Sequence, residues 1–417
     1  MTESRTSRHA LVFIFITILV DMTGLGLIIP VLPKLIAELT GLGLSGAARY
    51  GGLVIFVYAG MQFFFSPVIG SLSDRFGRRP VLILALVAIG IDYTITALAP
   101  TITWLFFARA LSGMAGASYT TANAYIADIS PPEKRAANFG LVGAAFGLGF
   151  IFGPAIGGIL GQHDVRLPFF IAAALAMANA LYGAVVLTES LPQENRRKFE
   201  IWRANPLGAL TALRRFPFVL PLCGVIVLMR FAHDANPATW TYYTMLKFHW
   251  TTAGVGYSLM AAGAITAVVY GGLTRAVIPL IGEVRAVYFG LACGVLAFAG
   301  YAFAAQGWQM YAWMLVGSLV GLSMPALNAI MSKEVGPAEQ GELQGAVTSV
   351  GSLTSIMAPV AMSYLFAYFT SGKAPVYFPG AAFLAASVCL ALAAAVFALV
   401  KPSPVNKPAE AIVEQET

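Results

Sequence analysis

The chain has 417 residues, of which 58% are hydrophobic and only 11% charged, and its mean hydropathy is +0.78. A water-soluble fold carries about 25% charged residues, so there is too little charge here to cover a water-facing surface, and lipid must be the solvent for most of the chain. The net charge of +6 comes from lysines and arginines in short connectors between apolar runs, with no continuous basic patch, which argues against nucleic acid as a partner.

Arg5 and Arg8 followed by apolar sequence from Ala10 imitate a secretory leader. The run is too long, holds Asp21 and lacks a small-residue cleavage site, so it reads as a retained first span. A spanning helix needs about 20 apolar residues to cross about 30 Å of hydrocarbon. Such runs lie at 10–34, 50–72, 80–99, 102–125, 138–160 and 166–188, and again at 218–244, 252–275, 286–305, 308–331, 342–366 and 376–400. They are too long and too unbroken for barrel strands of about 9–11 alternating residues. Between the two sets lies 189–217, rich in Glu, Arg and Lys. The fold class is therefore an all-α membrane protein of twelve transmembrane helices in two six-helix halves, 1–188 and 218–400, joined by a linker and followed by a polar tail, 401–417, expected to be disordered. Cys223, Cys293 and Cys389 lie inside apolar runs without metal or disulfide spacing and read as buried structural thiols.

The halves echo each other. Pro132-Glu133, Gly140 and Pro154 recur as Pro337, Glu339, Gly345 and Pro359. Gly to Pro spans fourteen residues in both copies (154 − 140 and 359 − 345), at an offset of 205 for the Gly–Pro pair. Parallel repeats of this kind place a solute near the midplane between the halves. Of the 25 Lys and Arg, Lys34, Arg49, Arg166, Lys247 and Lys373 fall on one side and Arg109 and Arg230 within spans. The remaining 18 (25 − 5 − 2) fall on the side of the termini and linker, which predicts cytoplasmic N- and C-termini.

Three stretches carry mechanism. In Gly70-Ser71-Leu72-Ser73-Asp74-Arg75-Phe76-Gly77-Arg78-Arg79-Pro80, a carboxylate among cations can pair with Arg78 as a latch, with Asp128 as a second partner. The fifth span ends in Gly149-Phe150-Ile151-Phe152-Gly153-Pro154-Ala155-Ile156-Gly157-Gly158. Small residues allow close helix approach there, and Pro154 permits a bend, as a rocking hinge requires. In span four, Arg109, Ser112, Gly113, Gly116, Thr120 and Asn123 form a polar stripe. An intramembrane guanidinium costs at least about 2.5 kcal/mol and needs a partner or a cavity.

These stretches resemble the signature motifs of the major facilitator superfamily, and the fifth-span motif resembles that of its drug/proton antiporters. Asp21-Met22-Thr23-Gly24-Leu25-Gly26, Ile91-Asp92-Tyr93, Phe146-Gly147-Leu148-Gly149, Pro168-Phe169-Phe170-Ile171-Ala172 and Pro325-Ala326-Leu327 narrow the likeness to the tetracycline efflux antiporters over about residues 10–400. The resemblance implies exchange of a metal–tetracycline complex for a proton, with Asp21, Asp92, Arg109, Asp74 and Arg78 at functional positions. Two departures stand out. Gly294 occupies the place of the family's ninth-span acid and Thr266 that of its eighth-span histidine, while Arg230, His233, Asp234 and Pro237 crowd span seven.

A proton carrier must titrate as its surroundings change, since burial opposes a carboxylate's charge and a neighbouring guanidinium favours it. Asp21, Asp92 and Asp234 are the acids within spans. The expected proton-coupling set is Asp21, Asp92, Arg109, Asp234 and His233, with Asp21 and Asp234 facing a central cavity and Arg109 modulating Asp21. Asp92 reads equally as a structural acid near Tyr93. The gating set is Asp74, Arg75, Arg78, Arg79, Asp128, Gly153, Pro154 and Gly157. Candidate solute contacts are Asp21, Gln62, Arg109, Asn123, Asp234, Trp240, Tyr270 and Gln344. No GxxxxGK[ST], HExxH or GxSxG motif occurs, so neither a nucleotide pump nor an intramembrane enzyme is expected. No cofactor or resident metal is expected either. The reading is a monomeric antiporter of the bacterial inner membrane that exports a tetracycline-like drug, free or as a metal complex. The rivals are export of another amphiphile or siderophore, and proton-coupled metabolite import.

Overall fold

The computed structural model describes residues 2–116, 118–196, 219–335 and 339–400. Most of the linker, 197–218, and the tail 401–417, with its expected disorder, lie outside the described residues. Among the described residues the regular structure is helical throughout. Ten helices are long and apolar enough to cross a membrane, and a bent pair, Val12–Ile28 with Leu32–Thr40, makes an eleventh span. The fourth run forms two shorter helices, Ile102–Ala115 and Ser118–Ile129.

Sequence explains where the helices deviate from straight rods. The first span turns by 48° at Ile29-Pro30-Val31, where each proline disfavours helix at the residue before it, and Pro33 opens the second piece. Span seven, Val219–Phe248, stays continuous through Asp234, whose N–H bonds the Arg230 carbonyl at 3.0 Å and whose carbonyl accepts from Ala238 at 3.2 Å. Span eight, Thr252–Ile281, widens into a π-helical turn at Val269–Leu273, and the Thr274 hydroxyl donates to the displaced Val269 carbonyl at 2.8 Å.

The repeat is sharper in three dimensions than in sequence. Gly77 and Gly282 (282 − 77 is 205) both end a helix with positive φ, +102° and +83°, where a side chain would be strained. Each is followed by a 21-residue helix, Arg78–Leu98 and Glu283–Phe303. In the first half Arg78 pairs with Asp74 at 2.5 Å and Asp128 at 3.3 Å. At the same two places in the second half, 283 and 333, Glu283 pairs with Lys333 at 2.7 Å. The position of the bridge is repeated and its polarity reversed.

Span one packs against spans five and six, and span three against span six. The halves touch along two lines, span five with eight and span two with seven and eleven. Far from the linker these contacts are between backbones. A Cβ on Gly158 would meet Ala253 Cα at 3.0 Å, one on Gly256 would meet Ala155 Cα at 3.2 Å, and one on Gly52 would meet the Pro359 carbonyl oxygen at 3.1 Å. Gly147 and Gly140 lie 11 and 18 residues before Gly158, on the same helical face, yet nothing lies within 4 Å of a Cβ there. The halves are therefore sealed on the far side and splayed on the linker side. Valine at Gly158 should wedge that seal. In a cysteine-free background carrying Ala253→Cys, at a position whose alanine is 6% exposed, Gly158→Val is expected to raise labelling by an impermeant maleimide several-fold. Unchanged labelling would mean that the glycine contact does not hold the seal.

Candidate functional site

A cavity of about 290 Å³ lies within the first half, lined by Asp21, Tyr58, Gln62, Tyr93, Arg109 and Ser112 among others. Arg109, 5% exposed, makes an ion pair with Asp92, which is fully buried. Thr96 lies at 3.5 Å from the guanidinium, and the Tyr93 ring lies under it, 5.9 Å from Cζ to the centroid. The Gln62 amide donates to the Gly116 carbonyl at 3.3 Å, where the polar stripe of span four reaches the cavity. Asp21 Oδ1 is buried without a hydrogen-bond partner.

The arrangement differs from expectation in one respect. Arg109 was expected beside Asp21, and its ion pair is instead with Asp92 on span three. The cation is thereby neutralised, and Asp21 is left as an uncompensated carboxylate on the cavity wall. Such an oxygen is costly to bury and can bind a proton or a solute cation.

The second-half candidates do not line this cavity. Asp234, 8% exposed, sits in span seven beside Ser355 of span eleven, with Oδ2 unpartnered. Arg230, one turn earlier, and His233, the preceding residue, are exposed, so of these three Asp234 is the one turned inward. Trp240 is packed inside the second half. Its Nε1 donates to Ser258 at 3.0 Å, and its ring meets Tyr301 and Phe383 edge-on. Tyr270 and Gln344 are exposed and Asn123 is half-buried.

On the linker side Arg78 is the centre of an ion-pair cluster where the latch was expected. Besides Asp74 and Asp128 it binds Ser73 at 2.8 Å, and its backbone N–H donates to Glu189 at 2.8 Å. Glu189 was read only as a linker charge, and it lies where a Cβ on Gly77 would stand, so a glycine was the signal for it. Arg79 donates to the Ala184 carbonyl at 2.7 Å, and Arg75 is exposed over the Phe76 ring. In span five, Gly149, Gly153 and Gly157 face span one, where added Cβ atoms would meet Met22, Thr23 and Leu27. Pro154 lies 2.7 Å from a Cβ on Gly26.

Two six-span halves related by an offset of 205, with this ion-pair cluster and this glycine seam, are one recognisable construction, and residues 14–359 match the Major Facilitator Superfamily model. The chain belongs to the major facilitator superfamily. It is a multi-pass membrane transporter and not an enzyme. Among its curated relatives, the class C tetracycline resistance protein of Escherichia coli is 37% identical, the alignment covering 87% of this chain and 90% of the relative. The class G protein of Vibrio anguillarum is also 37% identical, over 86% and 91%. Of solved superfamily structures, a bacterial homologue of the lysosomal transporter Spinster, inward-facing and unoccupied, superposes with a TM-score of 0.79 at 15% identity, over 95% of this chain and 97% of that one. The structure also places the two positions at which the resemblance implied departures. At Gly294 a Cβ would stand 2.6 Å from Leu390 and 3.1 Å from Val320, so the position faces packed side chains of spans ten and twelve. Thr266 is exposed on span eight.

Proposed function

We propose that this chain is a proton-coupled antiporter that exports a small organic drug of the tetracycline kind from the cytoplasm across a bacterial inner membrane, with the linker and termini inside. The observation that carries the reading is the unpaired Asp21 oxygen on the wall of a cavity whose arginine, Arg109, is already neutralised. One carboxylate there can hold a proton or a solute cation but gains little from both, and that competition couples the two fluxes. Asp92 and Arg109 hold each other and shape the wall. The Arg78 latch and the Gly153-Pro154-Gly157 seam govern which side opens. The curated relatives named for tetracycline resistance support the solute class, and Gly294 and Thr266 favour a second reading in which a different amphiphile is carried.

Everted membrane vesicles provide the test. With an established pH gradient followed by acridine-orange quenching, added tetracycline is expected to release protons only when the protein is present. Cells should accumulate less tetracycline with the protein than without it, and the difference should vanish when the proton gradient is collapsed. Proton release with other amphiphilic cations but not tetracycline would favour the second reading. Solute accumulation that rises with the protein would overturn export.

A further inference from the structure

The inner wall of the second half carries a cation that the exchange scheme leaves unused. Arg230 is exposed in span seven, its Nε 3.8 Å from where a Cβ on Gly351 of span eleven would stand. Tyr270, exposed in the π-helical turn of span eight, lays its ring against Gly321 of span ten, 3.1 Å from where a Cβ would be. It lies within electrostatic range of Arg230.

These positions come from four helices and share one depth. Measured from the linker-side ends of spans eight, ten and eleven they lie eleven or twelve residues in (281 − 270, 333 − 321 and 351 − 340), and Arg230 stands beside Gly351. At 1.5 Å per residue that is about 16 Å, near the middle of the bilayer. Subtracting the repeat offset of 205 from 321 and 351 gives 116 and 146, and Gly116 and Phe146 both line the first-half cavity. The second half has glycine where the first has a phenyl ring, and a guanidinium stands beside it.

A guanidinium turned to hydrocarbon is strongly disfavoured, so the exposed face of Arg230 opens on the cleft between the splayed halves. Among the described residues no carboxylate forms an ion pair with it. Asp234, one turn on, is buried beside Ser355, and His233 shares the exposed side. The first-half wall presents the unpaired Asp21, and the second presents a cation.

We propose that Arg230 and Tyr270 form an anchoring site on the second-half wall for an ionised acidic group borne by a flat aromatic solute. The planar guanidinium holds a carboxylate or enolate through two parallel hydrogen bonds, and the tyrosine ring stacks on the solute's rings. The site deepens the exporter reading, on which it rests for its access to cytoplasmic solutes, by naming the class. The solute is an amphiphile acidic at one edge, whose cationic end is left to Asp21.

The test uses the full-length protein in detergent and two dyes with one ring system. Tetramethylrhodamine carries a free carboxylate, and its methyl ester does not. Fluorescence polarisation should show tighter binding of the acid. Arg230→Gln is expected to weaken the acid at least about tenfold and the ester by less than about twofold. Arg230→Lys should retain part of the preference, and it carries the comparison should Arg230→Gln fail to fold. Tyr270→Ala should weaken both dyes. Equal loss of both dyes in the Arg230 variants, no change in either, or no binding to the unaltered protein would overturn the assignment. Binding needs no proton gradient, so the two readings fail separately. A charge-selective binder that moves no protons refutes exchange alone, and a working exchanger without charge selectivity refutes this site alone.

Discussion

Asp21→Asn is expected to abolish solute-driven proton release in everted vesicles, at least about a hundredfold below the unaltered protein, while leaving the helices assembled. The change removes one titratable group and almost no volume. The lost oxygen has no hydrogen-bond partner in the protein, so no protein contact on it is broken, and the amide keeps the size and shape of the side chain. What disappears is the competition between proton and solute cation. Solute binding, measured by quenching of protein fluorescence, should weaken but persist, because Tyr58, Gln62 and Tyr93 still line the cavity. Retained coupling in Asp21→Asn would move the carrier to Asp234. The same assay on Asp234→Asn should then show the loss.

The second large effect concerns stability. Arg109→Gln leaves Asp92 fully buried and without its cation, and Asp92→Asn leaves a guanidinium in the same position. Removing one member of a buried pair costs about 3–5 kcal/mol, because the survivor stays desolvated and unsatisfied. Each single variant should therefore unfold at clearly lower temperature in detergent, and the double variant should recover part of the loss, since no charge is left stranded. Strictly additive losses would show that the two side chains do not depend on each other. Arg109 would then be free to serve Asp21, as its place on span four first suggests.

Hydropathy and the recurring Gly and Pro positions were enough to read the helical class and the two halves, because lipid demands long apolar runs and a parallel repeat leaves its spacing in the chain, while the motif stretches carried the family likeness. Periodicity on one helix tells which residues share a face, but not which neighbour that face meets. Arg109 and Asp92 are seventeen residues apart on separate helices, and only their packing shows the pair. Trp240 suits a solute pocket by residue type, and its packing against Ser258, Tyr301 and Phe383 places it in the second-half core instead. Arg230 had a usable signal, a guanidinium within a span. Helical spacing groups it with Asp234, and only packing shows that Asp234 is buried while Arg230 is exposed.

The reversed bridge has an evolutionary consequence. If both halves descend from one ancestral unit, one of them exchanged a cation–anion pair for its mirror at 78 and 128 or at 283 and 333. Neither position could change sign alone without setting two like charges about 3 Å apart at a membrane surface, a repulsion that disfavours the folded state. The route between the two arrangements must have run through a neutral residue at one of the sites. A chain with an uncharged side chain at 283 or 333 should therefore still fold and insert.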